Sequence, residues 1–151
     1  MVCIRLAKEF DVDDIVEFQV KMAFETEDVE LDYGTVNKGV TAVFKDPQKG
    51  KYYVATENDV VVGSLLITNE WSDWRNNWIY WIQSVFIIPE KRGQGIFKQL
   101  YLYIQNSIQE NNEVAGIRLY VDVTNSSARK VYAKLGMNGE HYKVFEWMKM
   151  Q

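Results

Sequence analysis

The chain has one cysteine, one histidine and two prolines among its 151 residues. A single thiol, Cys3, excludes an internal disulfide, and such a chain suits a reducing compartment. Cys3 stands in an apolar alternation, so a buried thiol is expected. With His141 the lone histidine, no His/Cys/carboxylate cluster has ligand spacing, and no metal is expected. His141 itself reads as a surface or structural residue. There is no run of Lys or Arg, and the net charge is −4. Phosphate backbones are bound by clustered cations, so nucleic acid is not an expected partner. No apolar stretch is long enough for a membrane span. Met1 to Lys8 lacks the apolar core of a signal peptide. A cytoplasmic protein without a membrane partner is the expectation.

Hydrophobic residues make up 47% and charged residues 25%. That balance suits one folded domain over residues 1–151. Val2 to Leu6 alternates and predicts a first strand. Asp11 or Asp13 is placed to cap a helix carrying Val12, Ile15, Val16, Gln19, Met22 and Ala23 at helical spacing. A second helix is predicted from Tyr33 to Phe44, then a turn over Asp46 to Gly50. Lys51 to Thr56 and Val60 to Thr68 read as a hairpin across Glu57-Asn58-Asp59. A polar loop is predicted from Asn69 to Asn77, then a long strand from Trp78 to Ile88, ended by Pro89. A helix follows from Ile96 to Glu110, a strand from Gly116 to Val123, and a helix capped by Asn125 or Ser126 and stopped by Gly136. The tail from Glu140 to Met150 reads as a last strand or hairpin. The order predicts a mixed α/β (α+β) domain, with helices covering a twisted, mostly antiparallel sheet.

Arg92-Gly93-Gln94-Gly95-Ile96-Phe97 lies between the long strand and a helix. Small residues there let a ligand approach the backbone, and a helix N-terminus offers N–H groups to an anion. Lys91, Arg92 and Lys98 add positive charge, so a diphosphate suits the turn. Taken alone, a Gly-x-Gly reads first as a plain glycine turn. The Walker pattern does not fit, because Gly95 is followed by Ile96 and Phe97. The dinucleotide fingerprint also fails, with Lys98 where its third glycine would stand.

Arg92 to Phe97 resembles the Arg/Gln-x-x-Gly-x-Gly/Ala signature of the GNAT superfamily of N-acetyltransferases. The segment Asn125 to Met137, with Asn125, Ala128, Tyr132 and Gly136, resembles that family's second block. Phe97 departs from the signature's small last residue. The resemblance covers Ile79 to Met137 and implies a GNAT-like fold and acetyl-CoA as cosubstrate. It implies that backbone groups of Val85, Phe86 and Ile87 pair with the pantetheine arm. It implies that N–H groups of Arg92, Gly93, Gln94, Gly95, Ile96 and Phe97 hold the diphosphate, and that Asn125 contacts the pantetheine or adjoining chain. Tyr132 would be the general acid at the sulfur, its ordinary pKa of about 10 being near that of a thiol.

A direct base is missing, because Gln83 stands where many relatives carry Glu and cannot usefully take a proton. Glu70 and Asp73 are the next candidates, against a plain role as solvated loop carboxylates. Trp71, Trp74, Trp78 and Trp81 crowd together in sequence, and an acidic set runs from Glu25 to Asp32. Carboxylates and aromatic faces both attract a cation. Trp74, Trp81 and Gln83 are therefore candidates for binding a small primary amine. Arg75 could instead hold a substrate carboxylate. A non-catalytic acyl-CoA sensor and a structural α/β domain are the competing readings, and a homodimer is left open.

Overall fold

A computed structural model describes residues 1–150. By internal contacts the chain forms two compact units, Met1–Arg118 and Leu119–Gln151. The first unit holds one five-stranded sheet in the order β1-β2-β3-β4-β5. Its strands are β1 (Val2–Leu6), β2 (Lys51–Glu57), β3 (Val60–Ser72), β4 (Asn77–Ile87) and β5 (Val114–Arg118). Neighbouring strands are antiparallel except β4 and β5, which run parallel. Three helices belong to this unit: α1 (Val12–Glu27), α2 (Tyr33–Lys45) and α3 (Ile96–Gln109). The mixed α+β fold expected above is therefore what the chain adopts.

Each helix buries one stripe. Ile15, Val16 and Phe18 of α1 and Val40 of α2 join Tyr52, Val54, Val61 and Phe86 of the sheet in one apolar cluster. Phe18 meets Phe86 with ring centroids 4.9 Å apart. On the opposite face Tyr53 of β2 meets Tyr103 of α3 at 5.9 Å. Consecutive strand residues point to opposite faces, so Tyr52 and Tyr53 place α1 and α2 on one side and α3 on the other.

Asp11 is at the first helix boundary as expected, but its side chain makes no cap bond to α1. Instead it accepts both Arg5 nitrogens, at 2.7 and 2.9 Å, and the Lys8 N–H at 2.7 Å. Cys3 is exposed, not buried. It lies on β1, an edge strand paired only with β2, where alternation does not guarantee cover.

The expected Asn69–Asn77 loop is mostly ladder. The β3–β4 pairing runs out to Ser72 and Asn77, leaving a short turn in which Asn76 has φ 49°. Trp71 and Trp78 are register partners, edge to face at 5.0 Å, and such aromatic pairs stabilise a hairpin end. Strand β5 is shorter than expected and starts earlier, at buried Val114.

In the second unit α4 (Ser126–Lys134) starts where Asn125 accepts the Ala128 N–H at 3.1 Å. Gly136 follows it with φ 88°. Within this unit's described residues the tail from Glu140 to Met150 forms no strand ladder.

Candidate active site

Strand β4 is the spine of the site. It pairs with β3 along its length, but with β5 only from Trp78 to Trp81. Among the described residues, no strand of the sheet lies beside its second edge beyond Trp81. The Ile88 N–H donates to the Val62 carbonyl at 2.9 Å, toward β3. The carbonyl of the same peptide, that of Ile87, must point the other way. By the same alternation the Ile87 N–H and the Val85 carbonyl face the open edge, and the Phe86 groups face β3. An extended amide chain beside this edge meets Val85 and Ile87, not Phe86.

A bulge shapes that edge. Ser64 is opposite Phe86 and Leu66 opposite Gln83, so Ser84 and Val85 share one partner position. Ser84 takes a left-handed conformation, φ 52°. The extra residue reverses the alternation expected from sequence. Phe86 falls on the same face as Gln83 and Trp81, and it joins the cluster beneath α1.

After β4 the chain makes a short 3-10 turn at Pro89–Lys91 and enters the glycine turn. Gly93 and Gly95 have φ 75° and 77°, which L-residues adopt at a cost. A Cβ at either would meet nothing within 4 Å, so open space surrounds both. Gly95 is the N-cap of α3, and no side chain caps that helix. The first bond closing the helix is Gln99 N–H to the Gly95 carbonyl, at 3.1 Å. The first-turn N–H groups of α3 thus have no acceptor within the helix. This is a cradle for an anion. The Arg92 N–H is not part of it, because it donates to the Pro89 carbonyl at 3.2 Å. Lys91 is ion-paired with Glu57, and Arg92 with Glu25 at 2.8 Å. Lys98 is exposed on the first turn of α3. The Phe97 ring packs along the helix with Tyr101, centroids 6.3 Å apart, so its bulk is partly taken up by α3.

On the α1 side of the sheet a polar group stands where β4 and β5 cease to pair. Trp81 Nε1 donates to Glu70 at 3.0 Å, and Arg118 donates to the other Glu70 oxygen at 2.6 Å. Gln83 donates to the Thr68 hydroxyl at 2.5 Å. Trp71 and Trp78 lie on the opposite face, and Trp74 is 90% exposed at the hairpin tip. The four tryptophans therefore do not form one cage. Asp73 is also at the tip, where it accepts the Trp74 N–H at 3.0 Å. Arg75 donates to Ser72 at 3.3 Å. Nothing in sequence marked Ser84 or Arg118, and the partnership of Arg92 with Glu25 spans 67 positions.

In the second unit, Tyr132 lies on α4. Burial pushes its hydroxyl above the ordinary tyrosine value, so it stays protonated at neutral pH. Asn125 has its side-chain oxygen engaged in capping α4. His141 lies near Asn138, 3.2 Å from its side-chain nitrogen.

Known proteins resemble this chain. A model of the acetyltransferase (GNAT) family matches residues 11–137. The chain belongs to the GNAT acetyltransferase family. Members of this family use acetyl-CoA, and the chain is an acetyltransferase enzyme. The match runs through both the glycine turn and the Asn125–Gly136 block. Aminoalkylphosphonate N-acetyltransferase of Salmonella typhimurium is 27% identical over 114 residues, covering 76% of this chain and 73% of that protein. The crystal structure of a possible acetyltransferase from Clostridium difficile 630 is 41% identical. It covers 100% of this chain and 99% of its own, with a TM-score of 0.91. A predicted acetyltransferase with acetyl-CoA from Clostridium acetobutylicum shares the fold at 20% identity. Its TM-score is 0.72, with 100% of this chain and 96% of that one covered.

The residues of this GNAT chain fit acetyl-CoA. An open strand edge suits the pantetheine amides, and an uncapped helix N-terminus entered through two glycines suits the diphosphate. No helix among the described residues is long and apolar enough to cross a membrane. No metal-binding group of three His, Cys, Asp or Glu occurs among them either.

Proposed function

We propose that this enzyme N-acetylates a small primary amine by direct transfer from acetyl-CoA, with residues 1–151 acting as one catalytic domain. The observation that carries the reading is the open β4 edge leading into the uncapped start of α3. In this reading the N–H groups from Gly93 through Phe97 hold the diphosphate. The Val85 carbonyl and Ile87 N–H align the pantetheine. The cosubstrate supplies an activated acetyl group. The amine nitrogen bonds to the acetyl carbon, the carbon–sulfur bond breaks, and Tyr132 gives the sulfur its proton. The proton lost by the amine passes to water. Tyr132 carries its proton at neutral pH, as an acid must.

Trp81, Gln83 and Glu70 form the acceptor side in this reading. Glu70 is a binding group here, not the base. Both of its oxygens are already engaged, one accepting from Trp81 and the other from Arg118. Asp73, at the hairpin tip, takes no part. The relative's aminoalkylphosphonates place amines that also carry an acid group first among substrates to try.

The test is CoA release with a panel of aminoalkylphosphonates, amino acids, polyamines and simple alkylamines. Turnover with at least one class supports the reading. Tight acetyl-CoA binding with no turnover on any amine would favour a sensor instead.

A further inference from the structure

We propose that Glu25 and Arg92 form a clasp that positions the glycine turn, Arg92 being a positioning residue and not a phosphate ligand. The proposal rests on the cofactor reading above. One guanidinium holds three elements together. Arg92 Nε donates to the Ile87 carbonyl at 2.8 Å, at the end of β4. A terminal nitrogen donates to Glu25 at 2.8 Å, on the last turn of α1. The guanidinium carbon lies 5.3 Å from the centre of the Phe86 ring. Arg92 itself opens the glycine turn, directly ahead of Gly93.

An exposed ion pair alone contributes little to stability. Here the carbonyl and the ring fix the same rigid fork, so its direction is set. A guanidinium turned toward a diphosphate at the start of α3 would abandon all three contacts. The clasp also occupies the Ile87 carbonyl, an acceptor on the open edge of β4. An amide chain arriving there finds the Val85 carbonyl and the Ile87 N–H still to pair. The clasp thereby selects which edge groups the pantetheine meets, and it ties α1 to the cofactor turn.

Two ideas about this pair predict opposite signs. If Arg92 served as the phosphate cation, Glu25 would compete for it, and removing the carboxylate would tighten binding. If the pair is a clasp, removing the carboxylate loosens the turn and weakens binding. The experiment measures CoA and acetyl-CoA affinity by calorimetry for the wild type, Glu25→Gln, Arg92→Gln and the double variant. Thermal unfolding checks that each folds, and steady-state kinetics accompany the binding.

We expect each single variant to weaken binding about two- to fivefold. The KM for acetyl-CoA rises, while kcat and the KM for the amine hold. The double variant is no weaker than the weaker single, because both break the same clasp. Tighter binding by Glu25→Gln, no change in either single, or fully additive losses would overturn the proposal. A wild type that binds no CoA would instead remove the cofactor reading on which it rests.

Discussion

Two side chains matter most at the residue scale, one for the proposed chemistry and one for stability. Burial raises the Tyr132 pKa above the ordinary tyrosine value. Its replacement by Phe should lower kcat about 10²-fold, as loss of a general acid does, with the KM for acetyl-CoA little changed. Because the pKa is raised, the rate profile should show no basic limb from this group below about pH 10. A limb near neutrality that vanishes in Tyr132→Phe would contradict the burial argument. Asp11 is 1% exposed. Burial pushes its carboxyl upward, but the hydrogen bonds from Arg5 and the Lys8 N–H outweigh it, and the net pKa lies below the ordinary value. A depressed folded pKa means the ionised form stabilises the fold. That stability is fully present above about pH 4 and is lost as pH falls through the folded pKa. Asp11→Asn should cost about 1–3 kcal/mol near neutrality. In urea unfolding the gap to the wild type should shrink as the solution is acidified. A gap independent of pH would refute the assignment.

The account at the element scale depends on the bulge in β4 and the entry to α3. Ser84 occupies a left-handed conformation that costs an ordinary L-residue about 1–2 kcal/mol. Ser84→Gly should therefore be tolerated. Ser84 already bears that cost, so Ser84→Val should destabilise further through its β-branched side chain at positive φ and weaken acetyl-CoA binding, because the bulge sets the open edge. Equal affinity in Ser84→Val and the wild type would detach the bulge from cofactor binding. The sequence made the hairpin of β2 and β3 legible, since its alternation is clean and Asn58 and Asp59 suit its turn. The long strand and the glycine turn were legible for the same local reasons. The bulge was not, because Ser84 looks like any strand residue. Polarity from Asn69 to Asn77 suggested a loop. The Trp71–Trp78 pair and the Trp81–Glu70 bond, both made across strands, extend the ladder instead. Cys3 misled for a related reason, since alternation does not reveal which strand lies at an edge.

What remains at the scale of the whole molecule is how distant parts serve one reaction. Arg118 on β5 reaches Glu70 on β3 across a separation of 48 positions, and no local pattern announces it. Arg118→Gln should release one Glu70 oxygen, the other staying with Trp81, and change the preference among amines more than the affinity for acetyl-CoA. A panel in which all amines fall equally would mean that Arg118 only supports the sheet. The proposed cofactor half of the site was readable because its motif is contiguous. The proposed acceptor half draws on β3, β4 and β5, which only folding brings together. The central claim is that the glycine turn and the start of α3 hold the diphosphate of acetyl-CoA. Calorimetry of acetyl-CoA with the wild type and Gly95→Asp tests it most directly. At φ 77° the new side chain is strained, and a carboxylate at the N-cap of α3 competes with an anion for the N–H groups there. The account predicts binding by the wild type and its loss in a Gly95→Asp variant that still unfolds cooperatively. Undiminished binding by that folded variant would contradict it.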